Sequence, residues 1–530
     1  MALLGAAGLF AAGVVGGSAI LRDQTFGPTL AGYNQETSAQ TSLTNTIALK
    51  ASGVYSACGS VGPSMLVIQA TAAGNLDFAN WNAPQGLVIL TLRDGEACQS
   101  VATQSDQKTM VGGFSFLASD SLTSMLIARF TTAGALDSSL FGVPHGYVLI
   151  DAPTIDGSTP ASYVWQIKIQ PADQFTVICA FATVGGIQQI VLSRIDTTGA
   201  LDNGFASGGQ IAWQLGDTMM PLGVVVQSDG AIVTGAGITS AGLPQIGLIR
   251  YTTAGILDTT YGAGAGYIQY ASLSSTATVA GLDIQYVGSN TDKVIVAASS
   301  ATTNQLWVLR FNTDGSIDTT FGSAGVVTVN LGLNSSPQVM FVNVATDGTD
   351  SILISGFYSG PGTSFLIKLS SSGATDATFG DNPGLPTATP GLLTVTEIVP
   401  GNANMLYSAI WDLNGSPITA GVSNSNIQSS VIQRYLPNNA QFITLISPIA
   451  GQPSTTNPQV FVNGVCSQSD ALINILVDDV LTFQTYSDKR GHWEAGLTAP
   501  LASGGHTITA NLIYDVSTII VTASATVTIS

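Results

Sequence analysis

An all-β chain, most of it one four-stranded unit repeated about seven times, is the fold class this sequence predicts, and three observations predict it. The first is residue usage. Of 32 acidic residues only four are Glu (Glu36, Glu96, Glu397 and Glu494), charged residues make up 9%, and Gly reaches 59 of 530 positions. Helix-rich proteins use Glu, Lys and Arg heavily on exposed helix faces; here Thr, Ser, Val, Ile and Gly replace them, and these suit strands and tight turns. The second observation is a motif recurring about every 60 residues. The third is that the two ends of the repeated region carry complementary fragments of one repeat. The chain is 45% hydrophobic with a mean hydropathy of +0.37, enough apolar material to offset the entropy of ordering. A net charge of −18 argues against nucleic acid and anionic membrane surfaces as partners, since both are met by clustered Lys and Arg.

The repeats set the architecture. The copies are LIARFTTAGALDSSLFG (126–142), VLSRIDTTGALDNGFASGG (191–209), GLIRYTTAGILDTTYGAGAG (247–266), WVLRFNTDGSIDTTFGSAG (307–325) and FLIKLSSSGATDATFG (365–380), with a weaker copy, LVIQATAAGNLDFANW, at 66–81. Their turn glycines are Gly74, Gly134, Gly199, Gly255, Gly315 and Gly373. Downstream of these turns come apolar runs opened by polar turns, such as SDGAIVTGAG (228–237) and TDKVIVAAS (291–299). SSVIQRY (429–435) supplies the strand and Arg of a seventh copy but lacks its turn, and the missing piece stands near the N-terminus as Asp23-Gln24-Thr25-Phe26-Gly27. One blade split between the chain ends implies circular closure, which removes exposed sheet edges. A β-propeller of about seven four-stranded blades over 22–442 is the expected fold. An open solenoid is the alternative, but it would carry atypical capping repeats instead of complementary fragments.

The string R-[FY]-x-x-x-G-x-[LI]-D-x-x-[FY]-G, followed by an apolar run opened by DG, resembles the delta-60 repeat family of bacterial surface and secreted proteins. The resemblance covers about 420 residues. It departs from the pattern at Gln69, where a basic residue is usual, at Trp81, and at Thr375, where Leu or Ile is usual. It implies a propeller-like repeat domain with no common activity. After the linker 436–442, residues 443–530 show alternating strands with turn signals every 8–12 residues. Ser447-Pro448, Gly451, Asp478-Asp479, Gly491-His492-Trp493 and Gly505 to Ala510 resemble the bacterial Ig-like β-sandwich domains strung along adhesins, which implies a spacer or adhesive module with Trp493 in its core.

Residues 1–21 form an apolar segment that runs uncharged from Ala2 to Leu21 and contains five Gly; Arg22 follows it. It can be read as a secretory signal, a membrane anchor, or a segment packed on the body or used in assembly, and export or anchoring is the expectation. Cys58, Cys98, Cys179 and Cys466 lack metal-site spacing; buried free thiols are expected, with a Cys58–Cys98 disulfide left open.

The catalytic inventory is thin. Arg129, Arg194, Arg250, Arg310, Lys368 and Arg434 recur once per repeat, which reads as one cation per blade pairing with the repeat Asp or a loop carbonyl. The repeat acids Asp23, Asp77, Asp137, Asp202, Asp258, Asp318 and Asp376 follow a Gly turn and are expected to fix it by accepting backbone N–H bonds. Only three His exist (His145, His492 and His506), no nucleophilic triad can be assembled, and GAGAG (262–266) is a connector with no helix behind it. No catalytic residue, cofactor or metal site is expected. Binding is expected where loops break the repeat, in 143–164 and 381–404, with Tyr147, Tyr163, Trp165 and Glu397 as candidate binding-face residues. The sequence thus points to a secreted or cell-surface, non-enzymatic binding or structural protein. Its expected partner is a surface glycan or protein, with self-association into a layer or filament as one alternative and a carbohydrate-active hydrolase or lyase as another.

Overall fold

The computed structural model describes Gly27, residues 33–35, residues 41–435 with short interruptions, and the strands of 443–529. These residues fall into two compact units, one within 25–437 and the other within 438–530.

In the first unit the described residues form seven four-stranded antiparallel sheets in chain order. Their first strands are Ser42–Leu49, Gly95–Thr103, Ala161–Ile169, Thr218–Val226, Ala277–Gln285, Pro337–Val344 and Ala403–Trp411. Each first strand loses register against its second strand at one residue, in order Asn45, Gln99, Trp165, Leu222, Ala280, Met340 and Tyr407. A bulge at a fixed place bends and twists the strand. Each first strand contacts the first strand of the next sheet. The inner strands carry apolar runs on both faces because both faces are covered: every residue of Ser64–Ala70 is buried, Ser64 and Gln69 included. The arrangement is propeller-like.

The repeat motif joins each sheet to the next. The residue after the repeat aromatic donates its backbone N–H to the carbonyl just before the next turn glycine: Asn82 to Ala133, Gly142 to Thr198, Ala206 to Ala254, Gly262 to Asp314 and Gly322 to Ser372. The turn glycine lies on that aromatic ring. Gly315 has φ +85°, and a Cβ there would stand 2.8 Å from the Tyr261 ring, so any side chain would meet both backbone strain and a clash.

The last sheet (Ala403–Trp411, Pro417–Asn424, Gln428–Arg434) is completed by Tyr33–Gln35, which pairs with Val431 to Gln433. The sequence placed Asp23–Gly27 there. Asp23 to Phe26 lie outside the described residues, while Gly27 donates to Ala73 O at 2.8 Å, as its counterparts do in the other repeats. The described pairing strand, Tyr33–Gln35, comes after that motif in the chain. Residues of the last sheet reach the first directly: Thr44 Oγ1 donates to Gly421 O (2.8 Å), Ser430 N donates to Ser42 Oγ (3.0 Å), and Ile410, Ile418 and Ile432 share a core with Ile47, Leu66 and Ile68.

The expectation of free thiols fails at two positions. Cys58, on the second strand of the first sheet, and Cys98, on the first strand of the second, form a disulfide with a Cα–Cα distance of 5.6 Å. The packing of consecutive sheets brings together residues 40 apart. Cys179 is a buried free thiol; the Cys466 side chain lies outside the described residues.

The second unit contains a three-stranded sheet (Ile443–Ser447, Phe461–Cys466, His492–Gly496) and a five-stranded sheet whose central strands are Gly504–Tyr514 and Leu472–Val477. Val462, Trp493 and Ala495 from the first pack with Ile473, Ile475, Ile508 and Leu512 from the second.

Candidate functional site

The repeated Arg and Asp form one structural cluster per repeat. In the fifth sheet Arg310 Nε donates to Asp318 Oδ2 (2.9 Å), while Nη1 donates to Gln285 Oε1 (2.9 Å) and to Ser371 O of the next repeat (2.7 Å). The guanidinium also lies 4.6 Å from the Phe321 ring centre. Burial works against the ionised form of Asp318, yet the Thr320 hydroxyl and amide, Arg310 and Lys293 outweigh it and hold the carboxyl at about 2. Arg129 to Thr197 O, Arg194 to Thr253 O and Arg434 to Ala72 O repeat the inter-sheet bond. Arg129, Arg194 and Arg310 therefore pair both with the repeat Asp and with a loop carbonyl.

The first repeat keeps this cluster with its residues exchanged. Gln69 stands in the Arg position, and Lys50 stands where Gln104, Gln170, Gln227 and Gln285 end the first strands of later sheets. Lys50 Nζ donates to Gln69 Oε1 (2.5 Å), Gln69 Nε2 donates to Asp77 Oδ2 (2.9 Å), and Lys50 lies 4.7 Å from the Trp81 ring centre. Burial pushes the Lys50 ammonium down to about 8, against the opposing pull of Asp77.

The fourth repeat is the exception in geometry. Arg250 turns its Nε to Gln227 Oε1 (2.6 Å), Nη1 to Asp258 and Nη2 to Asp229 (both 2.5 Å). In the regular junctions Nε takes the repeat Asp and Nη1 crosses to the next repeat. Here a cleft of about 330 Å³ opens between the fourth and fifth sheets, lined by Gln227, Asp229, Arg250, Asp292, Thr313 and Asp314 among others. Asp292 is 1% exposed. Its Oδ2 accepts from Ser228 N (2.6 Å), and its Oδ1 is buried without a partner. At the two corresponding contacts earlier in the chain the acceptor is an amide: Gln107 takes Ala51 N and Gln174 takes Ser105 N. Asp314 is held below the usual carboxylate range by the Ser316 hydroxyl and amide. Asp258 is lowered too, because Thr260 and Arg250 outweigh the opposing effect of burial.

On the first strands, Lys168 of the third sheet meets Asp283 of the fifth (3.6 Å), and Gln166 Oε1 accepts from Val224 N of the fourth (2.7 Å). Glu96, 2% exposed, accepts from Arg93 N and from Ser115 Oγ. The residues singled out from sequence are dispersed. Tyr147 begins a fourth strand, stacks on His145 (5.4 Å between ring centres) and packs with the Trp81 cluster. Tyr163 packs on Phe181 (5.4 Å), and burial raises its hydroxyl pKa. Trp165 is the bulge residue of the third sheet, half-buried. Glu397 and most of 381–404 lie outside the described residues. The cleft was missed, although one signal marked it: the connector between the first and second strands of the fifth sheet, from Gln285 to Lys293, is longer than its counterpart from Gln227 to Ile232.

Two stretches, 227–261 and 289–321, match the model of a family described as a domain of unknown function (DUF5122), β-propeller. They include most of the residues that frame the cleft. No curated protein matches the chain. Among solved structures, the polysaccharide lyase Uly1 is similar at 9% identity and a TM-score of 0.41, over 76% of this chain and 92% of that one. A protein from Lactobacillus plantarum is similar at 12% identity and a TM-score of 0.40, over 68% and 90%.

Proposed function

We propose that this is a non-enzymatic binding and structural protein of the cell surface or the secreted fraction. On this reading the seven sheets are blades of one closed ring, which serves as an interaction platform for a surface glycan or protein. The C-terminal unit is an Ig-like spacer or adhesive module. The observation that carries the reading is the commitment of the charged groups. The repeat cations and acids are bound to one another and to neighbouring turns; on the described first strands, Glu96 accepts from Arg93 N and Ser115 Oγ through Oε1 while its Oε2 is buried without a partner, and Asp283 meets Lys168. A glycosidase pair needs two carboxylates about 5–10 Å apart across one bond. The buried Cys58–Cys98 disulfide supports an oxidising compartment.

The test is to screen the purified chain against surface polysaccharides and proteins while following polymer length. Binding without cleavage is expected. Depolymerisation that is lost on replacing a single Asp would sink this reading in favour of a carbohydrate-active hydrolase or lyase.

A further inference from the structure

The cleft between the fourth and fifth sheets exists because one inter-sheet bond is not made. In three regular junctions an Arg Nη1 fills the space beneath the next repeat's turn, donating to Thr197, Thr253 or Ser371 O. Thr313 is the counterpart of those residues, two positions before Gly315. Arg250 does not reach it, because Asp229, on the turn of SDG, holds the guanidinium back through Nη2. What rims the vacated space is rich in acceptors: the carboxylates of Asp229, Asp292 and Asp314 stand against one lining guanidinium already shared between Asp229 and Asp258, while Lys293, whose charge also acts on Asp314, is engaged by Asn312 and Asp318. Asp292 adds an independent sign. It stands where the second and third sheets use a neutral Gln, it is almost wholly buried, and one of its oxygens has no partner. Leaving a buried carboxylate oxygen unpaired is costly unless something pairs with it.

We propose that this cleft binds the guanidinium or ammonium group of a basic ligand, which takes the place that an intramolecular Arg holds in the regular junctions. The inference rests on reading the protein as a binding platform and names the ligand chemistry at one site of it. An anion would face three carboxylates. The unpaired Nε2 of Gln227 is one donor against several acceptors, so the lining as a whole still calls for a donor-rich ligand. A bare metal ion fits less well, since no group of three or more His, Cys, Asp or Glu among the described residues is placed to hold one. The volume, at the lower end for ligand pockets, suits a single side chain or one amino sugar.

The two sources of that chemistry are separable by calorimetry on the full chain. Nα-acetyl-arginine amide would be compared with its uncharged counterpart, Nα-acetyl-citrulline amide, and glucosamine with N-acetylglucosamine. At least one cation should bind more tightly than its neutral counterpart by about tenfold or more, as expected for a desolvated charge pair, and the stronger of the two identifies a peptide or a sugar source. Asp292→Asn, which keeps an oxygen for Ser228 N and supplies a neutral amide as in the second and third sheets, should weaken that binding by a similar factor. Asp229→Asn should weaken it too, by freeing Arg250 to swing toward Thr313. The proposal is overturned if neutral and charged probes bind alike, if neither cation binds, or if both variants bind as the parent does. Such a failure leaves the platform reading standing, provided the chain still binds a surface polymer. Depolymerisation would remove the platform reading without touching the cleft.

Discussion

The first and fifth repeats reach one arrangement by different residues. In the fifth, the cation comes from the third strand (Arg310) and the amide from the end of the first (Gln285); in the first, the amide comes from the third strand (Gln69) and the cation from the end of the first (Lys50). Both place a positive group within 5 Å of the repeat aromatic, Phe321 or Trp81, and both tie the repeat Asp through position 69 or 310. What is preserved between sheets is a buried cation, amide, carboxylate and ring, not the identity of the residue at each position. The fourth repeat teaches the complement. It keeps the residue types and changes the geometry, and there a cleft opens.

The largest expected effect comes from removing the cation of a regular junction. Arg310→Met leaves Asp318 with Lys293 (3.4 Å) as its remaining cation, strips Gln285 and Ser371 O of their donor, and should cost about 3 kcal/mol, measured by denaturant unfolding. Arg250→Met, at a junction whose bond to the next sheet is already absent, should cost clearly less. Next comes the cross-link between the first two sheets. Replacing Cys58 and Cys98 together with Ala should cost about 2–4 kcal/mol, and reductant should lower the unfolding midpoint of the parent but not of the double variant. A smaller effect should set the first repeat apart from the others by its response to pH. The folded-state pKa of Lys50, about 8, lies below its ordinary 10.5, so between these values the unfolded chain binds more protons at this group and its contribution to stability should rise with pH, against the opposite trend of the buried Cys179 thiol above pH 9. A Lys50→Gln chain should lack that rise. The smallest expected effect lies in the second unit, where His506 Nδ1 meets Asp478 (2.6 Å) and Nε2 meets Ala502 O (2.9 Å), contacts that only the doubly protonated ring makes together. Asp478 and Ala502 O raise the His506 pKa. Its contribution is therefore present below the ordinary value of 6.5 and lost as pH rises through the folded one. NMR titration of His506 should show the raised value in the parent and a return toward 6.5 in Asp478→Asn.

Much of the fold was legible because its constraints are local. A turn glycine at positive φ resting on an aromatic ring cannot be replaced cheaply, so a Gly, an Asp three residues on and an aromatic ring soon after recur at the six described turns and mark the period. The split repeat was legible from its fragments, although the strand that pairs with Gln428–Arg434 follows the Asp23–Gly27 motif instead of lying within it. The exchange of Lys50 and Gln69 was not legible, since the two lie on different strands and each alone looks like a lost residue. Asp292 was hidden for the same reason: its partner is Ser228, 64 residues earlier, and only the stacking of sheets makes it the counterpart of Gln107 and Gln174. Tyr147, Tyr163 and Trp165 were chosen for irregular sequence, but Tyr147 meets His145, Tyr163 packs on Phe181, and Trp165 occupies the bulge of the third sheet.

The account stands on the claim that these junction clusters are one interchangeable structural device, and a double-mutant cycle at positions 50 and 69 tests it most directly. Gln69→Arg alone adds a second cation beside Lys50 and should destabilise the chain; Lys50→Gln alone should destabilise it by removing the donor to Gln69 Oε1 and the contact over the Trp81 ring. The pair together rebuilds the arrangement of Gln285 and Arg310 and should recover stability, with a favourable coupling of about 1–3 kcal/mol. Additive losses in the double variant would contradict the claim.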